Sequence, residues 1–157
     1  MKADLALHVP AGPHPVGRPV PVRVELRNAG DEDLCIPGVV DGSESGIRYP
    51  HWLPSVQLGG VTVAAPPRAE DPLVGPLRAE DFRCLRPGED FDPGRLATFA
   101  VFTPRTPGSY VYALDLSTES ATDEAWLGRF HQDRSVLDLV ARVPRFSTRA
   151  TVTVDVT

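Results

Sequence analysis

Val20-Pro21-Val22-Arg23-Val24-Glu25-Leu26-Arg27 places Val20, Val22, Val24 and Leu26 on one side of an extended chain and Pro21, Arg23, Glu25 and Arg27 on the other. Strand side chains alternate between faces, so this run predicts a half-buried antiparallel strand with one wet face. Asn28-Ala29-Gly30-Asp31 follows, where Asn and Gly tolerate the positive φ of a tight reversal, and the chain resumes at Leu34-Cys35-Ile36. Strand, turn and strand predict a β-sandwich.

Working outward, residues 148–156 repeat the pattern, with Ala150, Val152, Val154 and Val156 opposite Arg149, Thr151, Thr153 and Asp155. Residues 4–9 alternate Leu5, Leu7 and Val9 with Ala6 and His8, and the expected partner of that opening strand is the C-terminal one. Residues 55–58 and 61–63 flank Gly59-Gly60, a two-residue loop suited to a primed hairpin turn. Residues 82–85 read as a short strand. Residues 96–102 are apolar on both faces and read as a central one. In residues 109–117, Tyr110, Tyr112, Leu114 and Leu116 share a face. Residues 37–54 and 64–80 are long connections of the kind that carry function. In residues 122–141, Thr122 ahead of Ala125 and Trp126 predicts a capped turn, and Val136, Leu137, Leu139 and Val140 a second helical piece. The expected architecture is a single all-β domain over residues 1–157, an antiparallel sandwich of about seven to nine strands with a short helical insertion near 122–141.

Composition agrees with that class. A chain of 157 residues suits one domain, which at this size buries roughly 68–70% of its unfolded surface. Its 17 prolines and 13 glycines are too many for a helical protein and punctuate short strands. The net charge of −5 with scattered basic residues argues against a nucleic-acid partner. The sequence shows neither a secretory signal pattern nor a run of apolar residues long enough to span a bilayer, so no membrane partner is expected and the cytoplasm is the default location. Cys35 and Cys84 could pair, but a domain of this size does not depend on a disulfide, and both read as small buried hydrophobes.

Two phrases carry a resemblance. Val22-Arg23-Val24-Glu25-Leu26-Arg27-Asn28-Ala29-Gly30-Asp31 resembles the second strand and "N-x-G" turn of bacterial immunoglobulin-like and fibronectin-like domains. Leu85-Arg86-Pro87-Gly88-Glu89 and Thr106-Pro107-Gly108-Ser109-Tyr110-Val111-Tyr112 are similar to their "L-x-P-G-E" and "P-G-x-Y" segments. The resemblance implies that Tyr110 forms a tyrosine corner, its hydroxyl bonding back to the preceding loop. An antibody-type disulfide would need cysteines near Val24 and Tyr112, and neither position has one. BsuPI-type intracellular proteinase inhibitors are loosely similar in the same phrases, but no reactive loop can be placed residue by residue.

Arg48-Tyr49-Pro50-His51-Trp52 is the leading site candidate, because Arg, Tyr and Trp bury large areas while keeping a polar handle. Trp52 and Tyr49 would anchor a partner, with Arg48 as an orienting donor and His51 beside them; the competing reading is that Tyr49 and Trp52 close one end of the core. Trp126, Leu127 and Phe130 form a second apolar group that reads as packing on the sandwich. Asp31, Glu32, Asp33, Asp41 and Glu44 lack the regular spacing of a calcium loop. His8, His14, His51, His131 and the cysteines lack zinc or copper spacing. Gly42-Ser43-Glu44-Ser45-Gly46 centres on Glu rather than on a nucleophilic Ser. Glu80-Asp81 and Glu89-Asp90 are neighbours whose side chains diverge along a strand. No catalytic residue, metal or cofactor is therefore assigned.

The function expected is non-catalytic recognition of a protein partner through end loops, that of residues 48–52 included. Three alternatives stand beside it. A carbohydrate-binding module would expose Tyr49, Trp52 and Trp126 as a coplanar platform. An enzyme inhibitor or immunity-type protein would bind through its acidic surface. A cryptic enzyme would bring several of His51, His131, Glu44 and Asp133 together.

Overall fold

A computed structural model describes residues 2–40, 42–67, 75–127 and 134–157. Of the alternating run, residues 23–27 are strand and residues 20–22 are not; β2 (Arg23–Asn28) lies between β1 (Ala3–His8) and the short β7 (Asp90–Phe91) in one antiparallel sheet. A second sheet has the order β5 (Val61–Ala64), β4 (His51–Leu58), β8 (Gly108–Ser117) and β9 (Ser147–Val156). A ribbon of β3 (Leu34–Pro37) and β6 (Phe82–Leu85) completes the nine strands among the described residues. The fold is an immunoglobulin-like, all-β sandwich with short helical pieces.

Alternation decides which atoms meet between the layers. Val24 and Leu26 of β2, Trp52 and Val56 of β4, Tyr110, Tyr112, Leu114 and Leu116 of β8, and Ala150, Val154 and Val156 of β9 join one buried cluster. Arg23 and Arg27, on the other face of β2, are exposed. Each large aliphatic side chain so buried stabilises the fold by roughly 1.5–3 kcal/mol. Gly59 and Gly60 have φ of 59° and 79°, the pair of positive values that a type I′ turn needs to match the strand twist. The Tyr110 hydroxyl donates to the Thr106 carbonyl at 2.8 Å, so the tyrosine corner is present.

Several expectations are corrected by contacts distant in sequence. β1 pairs with β2, placing Leu5 opposite Leu26 and Leu7 opposite Val24, and not with β9. The proline-rich stretch after β1 instead takes the chain across to β9. There His14 N donates to Asp155 O at 2.9 Å, Thr157 N to His14 O at 2.9 Å, and Val16 N to Thr157 O at 3.1 Å, as a parallel pairing.

The reversal after β2 uses no positive-φ glycine. Asn28, fully buried, makes it with its carboxamide: Oδ1 accepts from Gly30 N at 3.0 Å, and Nδ2 donates to Glu32 O at 2.8 Å and Leu85 O at 2.9 Å. The strand beyond therefore leaves β2 and pairs with β6.

Residues 96–102 are not a central strand; they hold the helical turn α1 (Ala97–Val101). Leu96 and Phe99, three positions apart, are buried, whereas Val101 is 74% exposed. The Glu44 carboxylate accepts from Ala97 N at 3.0 Å and Thr98 N at 2.8 Å, satisfying amides that a helix start leaves open. A cap supplied from 53 residues earlier cannot be read from the local pattern.

Cys35 and Cys84 are not free buried thiols. They face each other across β3 and β6 and form a disulfide, with Cys84 exposed. The core face of that ribbon belongs to Leu34, Ile36 and Leu85, so alternation sends the two sulfurs outward.

The helical insertion comprises 3₁₀ turns at Asp123–Trp126 and Arg134–Val136 and the helix α2 (Leu137–Arg142). Thr122 precedes the first turn but makes no side-chain cap bond. Trp126 is buried, its indole N–H donating to Ser120 Oγ at 2.6 Å. Arg145 covers that ring at 5.0 Å and bonds Asp123 at 2.7 Å, while also donating to the Val140 and Val143 carbonyls at the end of α2. Phe130, expected in the same apolar group, lies outside the described residues.

Candidate functional site

The segment 48–52 divides between core and surface. Arg48 is buried and donates from Nη1 to Gly75 O at 2.7 Å. Trp52 is fully buried on β4, meeting the Phe91 ring edge-on at 6.5 Å. Tyr49 and His51 are part-exposed and stack at 3.7 Å with 16° between their planes; Tyr49 also touches Trp126 at 5.9 Å. Tyr49 N donates to Ala125 O at 3.1 Å, which ties this segment to the helical insertion. The accessible part of the cluster is therefore Tyr49 and His51. The exposed coplanar platform that sugar stacking requires is absent from the described residues, since Trp52 and Trp126 have no exposed area.

Burial lowers the pKa of His51 from the usual 6.5. A neutral imidazole in the fold and an ordinary one in the unfolded chain mean that the unfolded state binds more protons near pH 6.5. The stability held above that pH is lost as pH falls through 6.5 towards the folded value. The expected result is a lower unfolding midpoint at pH 5.5 than at 7.5. His51→Gln should remove part of that fall, and an unchanged pH profile would refute it.

The groups a cryptic enzyme would bring together do not converge among the described residues. Glu44 is engaged at the start of α1, and His51 lies against Tyr49. His131 and Asp133 lie outside the described residues, as does Asp41. Asp31, Glu32 and Asp33 are exposed. No group of three or more His, Cys, Asp or Glu that could hold a metal occurs among the described residues.

A different site emerges beside β5, the outer strand of the four-stranded sheet. The opposite edge, β9, is met by the His14 segment, whereas β5 has β4 as its one partner among the described residues. Between β5 and α1 runs a cavity of about 870 Å³, floored by Leu58, Phe102 and Tyr110 and walled by Val63 and Val101. Val61 is 65% exposed, Val63 43% and Val101 74%, three of the five exposed large hydrophobics among the described residues. Residues 53–67, which contain this hairpin, carry no charged side chain.

Arg105 and the Thr98, Thr103 and Thr106 side chains supply the groove's polar rim, with the Tyr110 hydroxyl held at its corner. Next to Tyr110 in the core, Tyr112 has its phenol pushed up to about 12 by burial first and then by Tyr110. Tyr112 does not line the groove, whose charged lining residues are Arg105 and Glu44. Reading along the chain missed this site because its two walls lie far apart in sequence; the charge-free hairpin was the one local signal of it.

No family model and no curated protein sequence matches this chain. Among solved structures, it is similar to the CARDB domain of a Pyrococcus furiosus protein, described in complex with di-metal ions. The identity is 13%, the alignment covers 99% of this chain and 92% of that one, and the TM-score is 0.38.

Proposed function

We propose that this domain is a non-catalytic binding module that takes an extended apolar segment of a protein partner alongside β5. The uncharged, exposed edge of β5 beside an apolar groove carries this reading. An edge strand presents unused backbone N–H and C=O groups, and sheet proteins ordinarily guard such an edge with charge. Here the strand has four residues, its pairing with β4 is interrupted by a register shift, and Pro66 and Pro67 follow it. Those features limit added pairing to a short register and favour a short strand from a partner over open-ended association. Main-chain bonds would supply affinity, and alternate side chains entering the groove would supply selectivity. Tyr49 and His51 are a secondary contact surface in this reading, and an inhibited protease is one partner class that it accommodates.

The test is selection of displayed random peptides on the folded domain, followed by binding to Val63→Lys and Val101→Asp variants. Selected peptides are expected to be uncharged and alternating, and to bind at least tenfold more weakly to both variants. Peptides indifferent to both substitutions would place binding elsewhere. Sedimentation of the free domain separates a further outcome, since a dimer dissolved by Val63→Lys would replace the foreign strand by a second copy.

A further inference from the structure

The helical turn α1 has a groove on each side. Ala97, Thr98 and Val101 face the one beside β5, while Leu96, Phe99 and Ala100 face a separate cavity of about 720 Å³. Leu96, Phe99 and Val20, each nearly fully buried, give that second cavity an apolar floor, and Pro10, Pro19 and Pro21 stiffen its walls. A volume of this size is in the range of sites for small organic ligands. Nine of its twelve lining residues are apolar.

The other three are all basic: His8, Arg23 and Arg95. No acidic residue lines the cavity, although acidic residues outnumber lysine and arginine by 21 to 16 in the chain. Glu25 stands behind two of these groups, 3.2 Å from Arg23 and 3.3 Å from His8, so its charge offsets that of Arg23. Arg95 is exposed at the rim and makes no hydrogen bond or ion pair with a described residue. The site thus offers a greasy trough with one uncompensated guanidinium at its mouth.

From this we infer that the second groove binds a small monocarboxylate with an unbranched hydrocarbon tail. The tail would lie over Leu96, Phe99 and Val20, and the carboxylate would take the paired N–H donors of Arg95. One unbalanced positive charge suits a monoanion better than a dianionic phosphate ester, and the chain's overall negative charge makes this local reversal of sign a selective feature.

The experiment titrates the full chain with decanoate, decanol and decyltrimethylammonium below their micellar concentrations, read by calorimetry and by backbone amide shifts. Decanoate is expected to saturate one site, with shifts at Val20, Val22, Arg23 and residues 95–100. Decanol is expected to bind at least tenfold more weakly, and the ammonium compound not to saturate. Arg95→Gln and Arg95→Glu should weaken decanoate by tenfold or more without changing the unfolding midpoint, whereas Arg105→Glu, in the groove beside β5, should leave decanoate binding unchanged. Equal affinity for decanol and decanoate, indifference to both Arg95 substitutions, shifts confined to the β5 groove, or no saturable binding would each overturn the proposal. None of these outcomes bears on peptide binding at β5.

Discussion

Replacing Trp52 by alanine is expected to lower the unfolding free energy by about 3–5 kcal/mol, because the cavity left by a fully buried aromatic collapses only in part. Trp52 has no exposed area and packs edge-on against Phe91, bridging the four-stranded sheet and the β1–β2–β7 sheet. For a domain whose total stability is about 5–15 kcal/mol, this loss is a large share. It corresponds to a fall in Tm of roughly 6–20 °C at this chain length. Urea unfolding of Trp52→Ala, followed by circular dichroism, measures it, and Tyr49→Ala provides the comparison at a part-exposed ring. A Trp52→Ala protein as stable as the parent would mean that the indole is not in the core. Loss of partner binding at unchanged stability would return Trp52 to the role of a surface anchor.

Removing the Cys35–Cys84 disulfide is expected to cost about 4 kcal/mol. The cross-link joins residues 49 apart in sequence, and a loop of that length restricts the unfolded chain by about this amount. Leu34, Ile36 and Leu85 remain buried whether or not the sulfurs are joined, so the cost is expected mainly from the unfolded ensemble. Cys35→Ser/Cys84→Ser should unfold at lower urea and be insensitive to a dithiol reductant, while the parent protein should shift to the variant's midpoint on reduction. Two free thiols in the unreduced native protein, or equal midpoints throughout, would contradict the pairing.

Neither outcome was fixed by what could be read along the chain. The reading in which Trp52 closes the core rested on the general tendency of Trp to be buried in a small β domain, since residues 37–54 read as a connection, and only the structure extends β4 back to His51. The disulfide depended on which strands become neighbours. Alternation predicts the inward face of β3 but not that β6, arriving after two long connections, would lie beside it with Cys84 opposite Cys35. The same limit applies to the candidate site. The uncharged hairpin around Gly59-Gly60 was legible, yet its use as one wall of a groove depended on α1 standing opposite, and α1 read as a strand.

By itself the sequence determined the layered all-β architecture, the Gly59-Gly60 hairpin and the apolar faces of β2, β8 and β9, which follow from period-two burial and from backbone conformations that nearby residues prefer. The Tyr110 corner was implied by the resemblance to immunoglobulin-like domains. Only the tertiary structure decided that Glu44 would turn residues 97–101 into a helix, that β1 would join β2, that Arg48 and Trp52 would be buried, and that α1 would separate two grooves. Those outcomes depend on which distant groups satisfy a given amide, edge or apolar face, and that choice is made by packing the whole chain at once.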